Sequence, residues 1–555
     1  MAREFRGAGG ALGVALGRVA RLAAERSVET PADEPAEAAL ARFAAAQRAA
    51  AARLADLGAQ LRHEGRADEA GIFDAHALLA EDPFLTDEVA RLVGEADTPL
   101  PAALDATIDR MRAALEALDD PYLRARAADI DAVGQEIRAA LAGNRAAPHA
   151  LPPGSILIAA DLTPAQTAGL RGGAVAGFAT AYGGPTGHTA ILARSLGIPA
   201  VVGLGPELLE LPEGAPLILD GDAAVLIADP APHQQAAYAR RRDSQRHDQQ
   251  RREALRNQPG QLRDGLLVSL SANIGSPDEV EAALAAGAEG VGLFRTEFLF
   301  LDRAAPPNQE EQYAAYRSVL EQMAGRPVVI RTLDIGGDKT LSYLDLPQEP
   351  NPFLGVRGLR LCMRHPDLFA TQLRALLRAA PHGNLWIMLP MVATPADLAW
   401  GRAQLRAAAE ALAAEGLAHR ADVPLGAMIE TPAAAVTADL LAHEADFFSV
   451  GTNDLTQYAM AADRGLGELA QRYPHDAPAV LRLIRQAVEA AGRAGIPIGL
   501  CGDLAGVPAL APALVGLGIH KLSLAPALIP LVKEQLREVS QEEAQAAARR
   551  LSLEP

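Results

Sequence analysis

Only two cysteines, Cys362 and Cys501, occur in 555 residues, too few for a disulfide framework. Basic residues are also in deficit. The 51 Lys and Arg face 69 Asp and Glu, and the resulting formal charge of −18 excludes general binding to nucleic acid or to an anionic membrane surface. No apolar run reaches the length of a membrane span, and Met1-Ala2-Arg3-Glu4-Phe5 opens the chain without a signal-peptide core. A cytoplasmic protein without membrane insertion is therefore expected. A nucleotide loop is missing too. Residues 1–20 hold Gly7, Gly9, Gly10, Gly13 and Gly17, but they match neither the Gly-rich phosphate loop ending in Lys-Ser/Thr nor the dinucleotide fingerprint in its βαβ setting. They read as a strand with turns that joins a later sheet. What the chain does have is core: 49% of its residues are hydrophobic, enough for the roughly three or four domains its length predicts.

From about residue 32 to 143, Ala, Leu and Arg recur at three- and four-residue spacing with few glycines, which predicts an all-α insert. Phe73, His76, Leu78 and Leu79 lie there among Asp68, Glu69, Glu81 and Asp82, readable as an apolar patch rimmed by acids or as a plain solvated face. Gly143 to Gly154, with Pro148, Pro152 and Pro153, breaks the helical pattern. Residues 155–228 then alternate short apolar runs with helices, predicting a compact α/β domain that the insert splits, with residues 1–20 as its detached first strand. Between Pro230 and Gly260, arginines mix with acids and glutamines without an apolar stripe, as in a solvated connecting helix.

Within the α/β domain, the run Gly183-Gly184-Pro185-Thr186-Gly187-His188-Thr189 reads as a glycine turn before a helix capped by Thr186. The apolar face runs through Ile191, Leu192 and Leu196, and Gly197 stops the helix. His188 falls in the first turn, where unpaired N–H groups and the positive dipole end favour an anion, so a phosphoryl group on a nucleophilic imidazole would be held there. A lone histidine in such a place more often caps or packs. The whole string, continuing through Ala193-Arg194-Ser195-Leu196-Gly197-Ile198-Pro199-Ala200, resembles the phosphohistidine signature of the phosphoenolpyruvate-utilising enzymes.

The second half repeats a unit. Apolar strands near 266–272, 290–294, 327–333, 385–391, 424–429, 446–450, 496–500 and 521–524 are each followed by a helical stretch, predicting a (β/α)8 barrel. Asn273, Arg295, Arg331, Asp334, Glu430, Asn453, Asp454 and Cys501 then fall at or just after strand ends, where a barrel places its catalytic face. Glu430 and Asp454 can share a hard divalent cation, for which Mg2+ fits best. Arg295, Arg331 and Arg464 supply bidentate donors for phosphate and carboxylate oxygens. Cys501, near a metal and several guanidiniums, suits general acid or base work, whereas Cys362 reads as inert packing.

Taken nearly end to end, the chain resembles Enzyme I of the bacterial phosphoenolpyruvate:sugar phosphotransferase system. The resemblance rests on the His188 string, on Gly290-Val291-Gly292-Leu293-Phe294-Arg295-Thr296-Glu297, on Arg331-Thr332-Leu333-Asp334-Ile335-Gly336-Gly337-Asp338-Lys339, on Asn351-Pro352-Phe353-Leu354-Gly355-Val356-Arg357 and on Gly451-Thr452-Asn453-Asp454. It implies a multidomain α/β protein. A swivelling phosphohistidine domain would take residues 1–20 and 145–229, and an α-helical phosphocarrier-binding domain 21–144. A linker helix over 230–262 would lead to a TIM barrel over 263–555.

The resemblance further implies that His188 is phosphorylated from phosphoenolpyruvate and passes the group to the histidine phosphocarrier protein HPr, the first step of sugar uptake. Arg295, Arg331, Asn453, Asp454 and Arg464 would bind phosphoenolpyruvate. Glu430 and Asp454 would hold Mg2+, and Cys501 would protonate the enolate carbon. The barrel would form a homodimer. Departures are Pro185, Gly187 and Asp503, where the family often has Arg, Ser and Glu. Pyruvate phosphate dikinase and phosphoenolpyruvate synthase share the histidine domain and barrel but need a large nucleotide-binding domain, and before His188 the helical stretch occupies that space.

Overall fold

The computed structural model describes residues 2–22, 34–63, 67–95, 98–117, 127–143, 151–168, 170, 175–185, 187–301, 303–337, 341, 343–344 and 349–553. They fall into two units, Met1–Asp248 and Gln249–Pro555.

In the first unit, residues 1–20 give three strands rather than the single one expected: β1 (Arg3–Arg6), β2 (Ala8–Ala11) and β3 (Val14–Ala20). Glycine is the reason. A Cβ on Gly7 would meet the Val202 carbonyl oxygen, and Gly13 adopts a φ of 116°, so the run is interrupted at both places. With β4 (Ser155–Ala159), β5 (Gly177–Thr180), β6 (Ala200–Val202), β7 (Pro216–Asp220) and β8 (Val225–Ala228) they form one sheet ordered β1-β8-β7-β3-β4-β5-β6-β2. β1 and β2 lie at opposite edges, while β3 runs antiparallel to β7 and parallel to β4. The helical stretch therefore leaves the sheet at one central strand and returns at its neighbour.

That stretch contains the helices Ala36–His63, Ala67–Ala80, Pro83–Glu95, Leu100–Glu116 and Ala127–Leu141. Their three- and four-residue spacing turns Phe43, Leu54, Phe73, Leu85, Val89 and Ile137 into a shared core. Each such side chain contributes about 1.5–3 kcal/mol when fully buried. Phe73, His76, Leu78 and Leu79 do not share one exposed apolar patch. Phe73 and His76 point inward, and His76 Nε2 lies 3.1 Å from the equally buried Asp129 carboxylate. Leu79 is partly buried, and only Leu78, at 75% exposure, faces water, with Phe84 exposed nearby in sequence. The helix Pro232–Leu255 has no buried residue. Its Arg241 pairs with Asp220 and Asp222, and its Arg251 and Arg252 with Glu534.

The second unit holds the eight predicted strands: β9 (Ser269–Ile274), β10 (Val291–Arg295), β11 (Pro327–Arg331), β12 (Asn384–Leu389), β13 (Leu425–Ile429), β14 (Phe448–Val450), β15 (Ile498–Leu500) and β16 (Lys521–Leu524). All neighbours are parallel, and the barrel closes where Lys521 to Leu524 pair with Ser269 to Ala272. Alternation directs Leu270, Ala272 and Ile274 of β9 outward into the main core, leaving Ser269, Ser271 and Asn273 on the other face. Inside, Leu293, Met388, Met428, Phe447 and Cys501 form a small core of their own, with Val329 and Trp386 against it. The fold is thus multidomain α/β, a sheet with an all-α insert and a (β/α)8 barrel.

Candidate active site

His188 is the first residue of the helix His188–Leu196. Gly187, with φ −69° and ψ 159°, is the N-cap and provides no side-chain cap. This corrects the expected cap at Thr186, a residue outside the described ones. Gly197 ends the helix in the left-handed region at φ 66°, as glycine permits. The helix start is fastened from several sides. Thr189 Oγ1 donates to Leu162 O at 2.9 Å, and Arg194 Nη1 donates to Gly10 O and Pro185 O, both at 2.9 Å. Leu192 is buried in the core of the helical stretch. Asp161 lies 3.3 Å from the Thr189 hydroxyl, and its carboxyl pKa is raised by burial, against the pull of the Leu162 N–H and Thr189.

In the barrel, parallel strands aim their C-terminal ends the same way, so residues distant in sequence gather there. Arg295 and Arg331 end β10 and β11 as register partners. Glu430, Gly451 and Cys501 directly follow β13, β14 and β15. A cavity of about 240 Å3 is lined by Arg295, Arg331, Glu430, Asn453, Asp454, Arg464 and Cys501 together. Every barrel residue that the sequence singles out for substrate, metal or proton transfer therefore faces one space. His188 is in the first unit.

Arg357 also lines the cavity, and strand-end reasoning missed it, because it reaches in from the loop after β11. Its Nη1 donates to Asp454 Oδ1 at 2.8 Å and to Tyr458 Oη at 3.1 Å, and its Nη2 to Asp334 Oδ2 at 3.1 Å. Its place in the Asn351 to Arg357 motif was the available signal. Arg331 donates to Glu297 Oε1 at 2.8 Å and pairs with Asp334 Oδ2 at 2.9 Å. Arg464 Nη1 stands 3.3 Å from Asp454 Oδ2. Burial works against the charges of Arg331 and Arg357, but the surrounding carboxylates outweigh it and raise both pKa values. Asn453 is held on both sides by Asp503, donating to Oδ2 at 3.0 Å and accepting from the backbone N–H at 2.9 Å.

Two groups have chemistry set by burial. The Glu430 carboxyl is pushed up to about 8 by desolvation, then by Asp454 and Asp334, with Arg331 and Arg357 opposing. Its Oε1 accepts the Met391 N–H at 2.6 Å. The Cys501 thiol is pushed up to about 11, chiefly by desolvation, so at neutral pH it carries its proton. Among the described residues no cluster of three or more His, Cys, Asp and Glu forms a closed metal cage. Two buried carboxylates that disfavour each other's charge instead fit a hard cation that keeps water and substrate oxygens in its shell, as Mg2+ does.

Comparison with known proteins agrees with this geometry. Three family models match in order: the PEP-utilising enzyme N-terminal domain over residues 6–126, the mobile domain over 151–224 and the PEP-binding domain over 249–541. The fold and the matched domains define a phosphoenolpyruvate-utilising enzyme. Relatives named phosphoenolpyruvate-protein phosphotransferase come from Geobacillus stearothermophilus, 44% identical over 550 residues, and from Bacillus sp. (strain S), 43% identical over 546 residues. Each alignment covers 98% of this chain and 94% of the relative. The Bacillus subtilis (strain 168) relative of the same name is 40% identical over 546 residues. The chain belongs to the phosphoenolpyruvate-protein phosphotransferase family, Enzyme I. No helix among the described residues is long and apolar enough to cross a membrane.

Proposed function

We propose that the chain transfers the phosphoryl group of phosphoenolpyruvate to His188 and then to the histidine phosphocarrier protein HPr, opening a phosphotransfer chain for sugar uptake. The observation that carries this reading is the barrel cavity, where guanidiniums, four carboxylates and a protonated thiol face one another. Arg295, Arg331 and Arg464, with Asn453, bind the phosphate and carboxylate oxygens, and Arg357 with Asp334 holds Asp454 in position. Glu430 and Asp454 hold Mg2+, which when bound neutralises charge on the transferring phosphoryl group. The enol oxygen–phosphorus bond breaks as the phosphorus–nitrogen bond to His188 forms. The enolate carbon takes the Cys501 thiol proton, and pyruvate leaves.

The helix start at His188 offers backbone N–H groups and a dipole end to the bound phosphoryl group, which stabilise the phosphohistidine. Leu78 and Phe84, exposed in an acidic stretch with Glu81 and Asp82, support docking of a basic-faced HPr on the helical part. Val436 and Leu440, exposed at 61% and 51% on barrel helices, support a homodimer through the barrel.

The test is incubation with labelled phosphoenolpyruvate and Mg2+ in the absence of nucleotide, comparing the native chain with His188→Ala. Acid-labile, base-stable label with pyruvate release on the native chain alone is expected. Absence of label on a folded native chain, or a requirement for ATP or AMP, overturns the proposal.

A further inference from the structure

The other end of the barrel contains a further cavity, of about 110 Å3, on the far side of the inner core from Cys501. Ser269, Val291, Pro327 and Lys521 border it, each at the first residue of its strand, which places it at the N-terminal face. In a (β/α)8 barrel this layer is normally filled by bulky branched side chains. Here Ser269, Ser271, Gly499 and Ser523 stand around it, and space remains.

Its lining has a definite chemistry. Trp386 and Phe447 form an aromatic wall, edge to face with ring centroids 4.9 Å apart. Lys521 Nζ sits 4.8 Å from the Trp386 ring centroid. Lys521 is exposed as a residue, yet its ammonium is desolvated where it leans over the ring, which draws its pKa below the ordinary lysine value. No Asp or Glu lines the cavity, and among the described residues no carboxylate pairs with Lys521. One cation, the hydroxyls of Ser269 and Ser271 and an aromatic wall, with no anionic group, suit an anion that carries a flat apolar body.

We propose that the base of the barrel is a binding site for a small planar monocarboxylate, its carboxylate on Lys521 and the serine hydroxyls and its ring against Trp386 and Phe447. The site is separate from the catalytic mouth: Leu293, Met388 and Met428 fill the barrel between them.

Benzoate is the probe, titrated calorimetrically into the full-length chain. Saturable binding is expected, weakened tenfold or more by Lys521→Met and also by Ser271→Val, which fills the space, and unaffected by Arg464→Ala at the catalytic mouth. Both base variants are checked for a native thermal transition and for label transfer from phosphoenolpyruvate, which each retains. Absence of saturable binding overturns the proposal, as does binding that survives in Lys521→Met and is lost in Arg464→Ala, since the benzoate would then occupy the phosphoenolpyruvate arginines. This proposal does not rest on phosphotransfer, so its failure leaves that reading intact.

Discussion

On the proposed reading, the helix start at His188 and the barrel mouth would handle the same phosphoryl group by opposite means. At His188 the groups offered to an anion are backbone N–H groups and a helix end. Arg194, on the same helix, is exposed and committed to the carbonyls of Gly10 and Pro185. At the barrel mouth the groups are side chains, among which Arg331, Arg357, Asp334 and Asp454 are buried and each held by more than one charged partner. Arg357 alone ties Asp334, Asp454 and Tyr458 together. The difference follows from the tasks. A carrier has to release what it holds to another protein, so weak, evenly spread stabilisation suffices. A site that breaks a phosphorus–oxygen bond needs charges fixed beforehand, since reorganising them during the reaction would add to the barrier. The two sites should accordingly fail differently when altered: at the barrel mouth stability and chemistry are lost together, and at His188 only chemistry.

Arg357→Met is the sharpest break of this contrast. Removing one partner from a buried ion network leaves Asp334 with Arg331 and Asp454 with Arg464 but takes away the guanidinium they share, at a cost of about 3–5 kcal/mol. Denaturant unfolding should show that loss, and pyruvate release should fall by two orders of magnitude or more. His188→Ala should leave the unfolding midpoint unchanged. A stable, active Arg357→Met chain would mean that the network is decorative.

Cys501→Ala comes next. The thiol is replaced by a slightly smaller apolar group within the inner core, so stability should drop by about 1 kcal/mol, while pyruvate release falls about 10²–10⁴-fold, the usual contribution of a positioned proton donor. Phosphoenolpyruvate affinity, measured by calorimetry, should hardly change. An unchanged rate of pyruvate formation would remove Cys501 from the proton transfer.

The smallest effect concerns pH. The folded-state pKa of Glu430, about 8, exceeds its ordinary value of 4.5, so between these values the folded metal-free protein binds more protons than the unfolded chain, and this residue's contribution to stability declines as pH rises through that window. Cation binding needs the carboxylate. Mg2+ affinity should therefore rise with pH up to about 8, with release of up to one proton per ion below it, visible by calorimetry in buffers of different ionisation enthalpy. Glu430→Gln should abolish the proton release. An affinity flat from pH 6 to 8 would show that Glu430 is ionised without the metal.

The barrel mouth was legible because parallel strands impose a rule: whatever follows a strand's last apolar residue arrives at the same end. Arg295, Arg331, Glu430 and Cys501 obey it, so strand spacing alone collects them. Arg357 does not, because it enters from a loop whose path depends on packing rather than on period. The first twenty residues mislead for a related reason. Short, glycine-rich strands carry little alternation, and their pairing partners lie beyond the helical insert. His76 shows the limit of reading a helix face. Its polarity suggests the surface, and what places it inside is Asp129, from another helix of the insert.

One further consequence of the sheet order concerns synthesis. Arg3 pairs with Ala228, Ala8 with Val202 and Val14 with Asp220, so the earliest strands to leave the ribosome obtain their partners only when nearly the whole unit has been made. The helical insert, whose core is almost entirely its own, can assemble in the meantime, Ala165 and Leu192 being its late arrivals among the described residues. Until then the amino-terminal strands remain open edges, and a nascent chain stalled before β8 is the form of this protein most exposed to aggregation.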